Sequence, residues 1–175
     1  MADRTEAYAE AILDIARGED ALDVVDDELL QLAAAMRDSD DLHRALTDPQ
    51  TPLSRRLEAV DDLLAGGHAA TRAAVSLLVS AGHVRDLDEI AHLVAERAAA
   101  ERGKAVAEVW VARALSDDQR ERLRQGLESV TGKQLELKVF VDESVVGGVR
   151  AKVGDTVIDG TLVRQLDALR GRVGS

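Results

Sequence analysis

Residues 135–173 read LELKVFVDESVVGGVRAKVGDTVIDGTLVRQLDALRGRV, and this stretch decides the fold. Leucine and valine occupy 135, 137, 139 and 141, with Glu136 and Lys138 between them, which is the period of a strand with one buried face. The Asp-Glu-Ser sequence at 142–144 is typical of a turn. The first part of the stretch therefore predicts a strand that ends in a turn.

The rest of the stretch predicts a hairpin and a helix. Apolar and polar residues alternate again over 145–153, Gly154 and Asp155 predict a tight turn, and 156–158 form a short return strand. From Thr161 the leucines follow helical spacing. The stripe of this predicted terminal helix consists of Leu162, Leu166, Leu169 and Val173.

The residues upstream of Gly103 carry six helical patterns, each with apolar residues three or four apart. Just after Gly103 the pattern changes to a valine-rich strand at 105–113, and then to a capping box, Ser116 to Gln119, that opens a helix. We therefore expect an α+β protein with two domains. An acidic six-helix bundle occupies 1–103, and a small α+β domain occupies 104–175.

The predicted fifth helix, 69–81, is apolar around nearly its whole circumference. A helix of this kind is expected to be covered on all sides. Two interpretations stay open from the residues alone: the helix is the centre of the bundle, or another chain covers one of its sides.

Composition excludes several classes of function. The chain has no cysteine, so it has neither disulfides nor thiolate metal sites. Residues 1–104 hold 22 acidic and 11 basic residues, so the whole net charge of −11 lies there, and nucleic acid would be repelled. The sequence has no apolar run of about 20 residues and no signal-peptide pattern. We expect a soluble protein on the cytosolic side of a membrane.

Motifs for catalysis are absent from the sequence. Gly132-Lys133 lacks the preceding glycine and the following hydroxyl of a phosphate loop, and the four histidines lack metal-ligand spacing. Gly147 and Gly148 lie inside a strand pattern, which predicts a bulge or a close backbone approach. We expect no enzymatic activity, no cofactor and no metal site.

The segment VDESVVGGVRAKVGDTVIDGTLVRQLDAL resembles the C-terminal signature of the delta subunit of F-type ATP synthase, a family related to the mitochondrial oligomycin-sensitivity-conferring protein. AYAEAILDIA at 7–16 and SAGHVRDLDEI at 80–90 resemble the family's opening helix and a later helical turn. This chain departs from the family at His83, Val163 and Gln165, where arginine is common. The motif residues that match are Asp142, Gly147, Gly148, Gly154, Asp155, Asp159, Gly160 and Leu166.

The resemblance implies a stator subunit on the cytoplasmic face of a bacterial membrane, peripheral and attached only through its complex. The first domain would bind the N-terminal helix of an alpha subunit in the catalytic head, between the first and fifth helices. The second domain would bind the C-terminal end of the b-subunit stalk. The residues expected to contact the alpha helix are Ala7, Tyr8, Ala11, Ile15, Ala73, Ala74, Leu77, Leu78 and Ala81.

The alternative is an adaptor of another class. An acidic helical bundle also suits a regulatory protein, unrelated to ATP synthase, that binds a basic amphipathic helix in a groove. Co-purified partners would distinguish the two hypotheses.

Overall fold

The computed structural model of this protein describes residues 2–145 and 148–160. Seven α-helices and four strands lie in these ranges, so the predicted α+β class is confirmed. Contacts divide the chain into two compact units between Ala98 and Ala99. The predicted boundary, Gly103, lies a few residues further along the chain.

Six α-helices precede the first strand. Each of them falls on a predicted helical pattern, and a 3-10 helix at Val84–Asp86 leads into the sixth. The helices are α1 Ala2–Gly18, α2 Leu22–Asp38, α3 Asp40–Thr47, α4 Leu53–Leu63, α5 Ala69–Ala81 and α6 Leu87–Glu101.

Local chemistry explains several helix ends. The Ser39 hydroxyl accepts a hydrogen bond from the backbone N–H of Leu42, 3.2 Å away, and so caps α3. Gly82 ends α5 with a φ of +75°, a left-handed conformation in which a side chain would be strained.

The core of the first unit is built from small and aliphatic side chains, because this chain has few aromatic residues. The α2 stripe of Val25, Leu29, Leu32 and Met36 is buried, as its spacing predicts. Helix α4 contributes much less, since only its Val60 is fully buried.

The second unit is a four-stranded sheet with one described helix. The elements are β1 Ala105–Val111, α7 Asp117–Thr131, β2 Leu135–Val141, β3 Val149–Val153 and β4 Thr156–Asp159. Their order in the sheet is β2-β1-β3-β4, with β1 and β2 parallel and the other pairs antiparallel. The predicted capping box opens α7, since Ser116 and Gln119 each bond the other's backbone N–H.

The hairpin of β3 and β4 is confirmed, with Val153 opposite Thr156 and a two-residue turn between them. The predicted start of its first strand at Val145 is wrong. The N–H of Val145 donates to the carbonyl of Asp142, 3.1 Å away, and so closes a turn. Because β1 ends at Val111, which pairs with Val149, β3 begins only there. The predicted terminal helix from Thr161, with Leu166, lies outside the described residues.

The two faces of the sheet differ. One face packs on α7 through Leu123 and Leu127 and forms an apolar core. The other face was expected to be polar and exposed, yet Lys138 is only 4% exposed. Its ammonium lies 2.7 Å from the carboxylate of Glu136, which also receives two hydrogen bonds from Arg102. This ion network satisfies the buried charge of Lys138.

A helix that crosses a bilayer needs about 20 consecutive, mostly apolar residues. None of the helices in 2–145 and 148–160 is both long and apolar enough to cross a membrane.

Candidate functional site

Helix α1 has a buried face and an adjacent half-buried face. Ala9, Ile12, Leu13 and Ala16 are fully buried in the core of the first unit. On the adjacent face Tyr8, Ala11 and Ile15 are half-buried, at a spacing of three and four residues, and Ala7 beside them is exposed. The α1 residues predicted to contact a partner are therefore accessible.

Helix α5 is divided in the same way. Ala73 and Ala81 are exposed, and Leu77 between them is 36% exposed. Ala74 and Leu78, also predicted to contact a partner, are 0% exposed. These two residues belong to the core of the first unit, so they lie below the exposed residues of α5 and are not accessible to a partner. Helix α5, which is apolar around nearly its whole circumference, is therefore covered on one side and exposed on the other.

Helices α1 and α5 pack against each other. The Tyr8 ring lies 4.8 Å from the ring of His83, which follows the end of α5. His83 Nδ1 lies 2.9 Å from Asp86 Oδ2, so this carboxylate orients the imidazole. We call the accessible apolar residues of the two helices the α1/α5 surface: Ala7, Tyr8, Ala11, Ile15, Ala73, Leu77 and Ala81.

Ion pairs hold the acidic side of α1. Arg17 and Arg97 each donate to the carboxylate of Glu10, at 3.1 and 3.0 Å. The hydrogen bond from Arg17, with the charges of both arginines, lowers the pKa of Glu10. Arg97 lies on α6, so its ion pair with Glu10 connects α1 to α6. These charged side chains lie beside the α1/α5 surface.

The histidines act as local hydrogen-bonding groups. His68 Nδ1 accepts from the N–H of Ala70 and caps α5, while the Glu28 carboxylate accepts from the N–H of His68. No cluster of three histidines or carboxylates suited to a metal ion occurs within the described ranges.

The motif residues of the second unit shape its turns. Asp142 accepts hydrogen bonds from both the N–H and the hydroxyl of Ser144, and the hydroxyl bond is the main reason that its pKa is lowered. Gly154 has a φ of +58° in the hairpin turn that it shares with the exposed Asp155. Asp159 ends β4.

A close backbone approach occurs at Gly160. A Cβ there would lie 2.6 Å from the carbonyl oxygen of Val149, whereas a Cβ on Gly148 would meet only the Gly160 Cα, at 4.0 Å. The close backbone approach predicted for this stretch therefore constrains Gly160, and Gly148 itself has room for a Cβ. Gly147 and Leu166 lie outside the described residues.

No sequence pattern indicated a groove in the second unit. This groove, which we call the β1–α7 groove, has a volume of about 440 Å³. Three separate segments form it, and no single local pattern would predict it. Its lining residues are Val111, Ala112, Arg113, Leu115, Gln119, Arg122, Leu123, Gly148, Val149 and Gly160.

The geometry defines a class of protein: two small units with accessible apolar surfaces and, among the described residues, no assembled catalytic group. The family model of the ATP synthase delta (OSCP) subunit matches residues 5–173. This chain belongs to that family.

Individual relatives agree with the family model. The chain is 37% identical to the ATP synthase subunit delta of Parafrankia sp. over 94% of its own length and 60% of that protein. It is 33% identical to that of Cereibacter sphaeroides, over 93% of this chain and 89% of the relative. A chain of the Toxoplasma gondii mitochondrial ATP synthase hexamer matches the fold with a TM-score of 0.54 and 19% identity, over 98% and 97% of the two chains.

The relatives differ in length. This chain spans 60% of the Parafrankia and Nocardia farcinica proteins and 65% of the Streptomyces avermitilis protein. It spans 92% of the Carboxydothermus hydrogenoformans protein, with 30% identity.

Proposed function

We propose that this chain is a non-catalytic stator subunit of a bacterial F-type ATP synthase. It links the alpha subunits of the catalytic head to the b-subunit peripheral stalk, and it resists the torque of the rotor during proton-driven ATP synthesis. The observation that carries the proposal is the accessible α1/α5 surface on a chain of the ATP synthase delta (OSCP) family.

The first domain, the six-helix bundle of residues 1–103, binds the catalytic head. The N-terminal helix of an alpha subunit lies on the α1/α5 surface, in the manner of an amphipathic helix in a groove. Ala11, Ala73 and Ala81 let the helix approach closely. Tyr8 and Leu77 supply apolar area, and aromatic and large aliphatic side chains contribute most to such contacts.

Charge supports a basic partner for the first domain. The net charge of −11 lies within residues 1–104, and Glu6 and Asp14 on α1 are exposed. A long-range attraction of this kind accelerates association and weakens as salt is added.

The second domain, residues 104–175, binds the C-terminal end of the b-subunit stalk. The protein is then peripheral to the cytoplasmic face of the cell membrane and reaches it only through the complex. A stator subunit needs one contact with the head and one with the stalk, and it needs no cofactor. The helical unit and the α+β unit of this chain provide one contact each.

The adaptor hypothesis is less well supported, because the relatives named above are ATP synthase subunits. The experiment that tests the proposal is affinity purification of the tagged chain from membranes of its own bacterium, after mild solubilisation. We expect alpha and b subunits to co-purify. A regulatory protein that co-purifies in place of both would contradict the proposal.

A further inference from the structure

The β1–α7 groove has an apolar floor that the described elements leave partly uncovered. Leu115 and Val149 are half-buried, although both pack against the core of the second unit. The volume of about 440 Å³ lies in the range of about 300–1,000 Å³ typical of sites that hold a ligand. The groove is large enough for one or two apolar side chains of a partner.

Two glycines keep the groove open on one side. Gly148 and Gly160 line it with backbone alone, and Gly148 has room for a Cβ. A larger side chain at Gly148 would therefore enter the groove instead of clashing with the sheet.

Two cations stand at the rim. Arg113 and Arg122 line the groove, and both are exposed. Within the described residues neither of them forms an ion pair, whereas Arg124, on the same helix as Arg122, pairs with Glu128. Exposed cations beside an apolar floor favour a ligand that combines carboxylates with apolar side chains.

The charge of the rim distinguishes between two occupants of the groove: residues 161–175 of this chain, and a segment of another protein. Residues 161–175 of this chain continue from Gly160 and contain three arginines and one aspartate. A segment with this excess of positive charge is a poor match for a rim of two arginines. An acidic segment of another protein is a better match.

We propose that the β1–α7 groove binds an acidic, amphipathic segment of the stalk subunit, with its apolar side chains on Leu115 and Val149 and its carboxylates on Arg113 and Arg122. This inference rests on the proposed stator function and adds the place and the chemistry of the stalk contact. Because the groove is small, other parts of the stalk subunit contribute the remaining contact area.

The test uses the full chain and a fluorescent peptide from the C-terminal end of the same bacterium's b subunit. We expect Arg113→Glu with Arg122→Glu to weaken binding at least about tenfold, and Gly148→Leu to weaken it similarly while the melting temperature stays unchanged. Lys104→Glu with Lys133→Glu is the matched control: it makes the same charge change in the same unit, at two exposed lysines that do not line the groove. We expect it to change the dissociation constant less than about twofold.

Three results would overturn the inference. One is a charge-reversed variant that binds as tightly as the parent, and another is a parent chain that does not bind the peptide. The third is a Gly148→Leu variant that melts earlier yet binds normally, which would mean that residues 161–175 fill the groove. Binding of an alpha-subunit N-terminal peptide is measured on the same samples. A chain that binds this peptide but not the b-subunit peptide contradicts the groove assignment alone, whereas a chain that binds neither contradicts the stator function.

Discussion

The aromatic ring of Tyr8 lies 4.8 Å from the imidazole of His83, with the two ring planes inclined by 40°. Tyr8 belongs to α1, and His83 directly follows the glycine that ends α5. The contact therefore connects the two helices whose accessible apolar residues form the α1/α5 surface. Asp86, whose Oδ2 lies 2.9 Å from Nδ1 of His83, orients the imidazole.

Substitutions at two neighbouring leucines on α5 distinguish an effect on partner binding from an effect on folding. We expect Leu77→Asp, at a position that is 36% exposed, to weaken binding of an alpha-subunit N-terminal peptide at least tenfold, or about 1.4 kcal/mol. We expect Leu78→Asp to unfold the first unit, because it buries a carboxylate where the side chain is 0% exposed. Calorimetric titration measures the first effect, and circular dichroism measures the second. A Leu77→Asp variant that is folded and binds normally would place the partner elsewhere.

A bulky residue at Ala11 tests the α1 side of the same surface. We expect Ala11→Trp to stay folded, because Ala11 is only half-buried, and to block the close approach of a partner helix. The expected loss of affinity for the alpha-subunit peptide is again at least about tenfold. The control is Val24→Trp, at an exposed position of α2, which should bind like the parent. Equal affinities for the two variants would contradict the assignment.

Two glycines of the motif, Gly148 and Gly160, should differ in their tolerance of a side chain. We expect Gly160→Ala to destabilise the second unit by about 1–3 kcal/mol, because its Cβ would lie 2.6 Å from the carbonyl oxygen of Val149. Gly148→Ala should change the free energy of unfolding by less than about 0.5 kcal/mol. Denaturant unfolding of both variants measures the difference. Similar losses in the two would mean that the close approach does not constrain position 160.

The ion network of the sheet predicts a pH dependence. Burial alone would raise the pKa of Glu136, but hydrogen bonds and charge from Lys138 and Arg102 lower it below its usual 4.5. A carboxylate whose pKa is lowered by folding stabilises the protein above its unfolded pKa, and this contribution disappears as the pH falls through the folded value. We expect Glu136→Gln to cost roughly 1–3 kcal/mol near pH 7. Its deficit relative to the parent should shrink below about pH 4.5. Unfolding free energies from pH 3 to 7 measure this, and a deficit independent of pH would contradict it.

Local patterns predicted the features that depend on local chemistry. Alternation over 135–141 predicted β2, and the capping box at Ser116 predicted the start of α7, because both signals lie within a few residues. The start of β3 could not be predicted from alternation, since it depends on where β1 ends. The ion network around the buried Lys138 could not be predicted from alternation either, because its carboxylate, Glu136, also pairs with Arg102, which lies far from it in the sequence.

The candidate surfaces, too, could be predicted only in part from local sequence patterns. The family resemblance pointed to α1 and α5, but helical spacing alone did not separate Leu77 from the buried Leu78, because α5 is apolar around nearly its whole circumference. The β1–α7 groove brings together residues near 113, 122 and 148, and only the folded chain places them side by side.

The central claim, that this chain joins the head to the stalk, is tested most directly by reconstitution. Membrane vesicles from the same bacterium are depleted of the delta subunit, and attachment of the catalytic head is measured by sedimentation as the purified chain is added back. We expect head attachment and ATP-driven proton pumping to return in proportion to the added chain, and the Leu77→Asp variant to restore them poorly. Heads that attach equally well without the chain, or a chain that binds neither heads nor vesicles, would contradict the stator function.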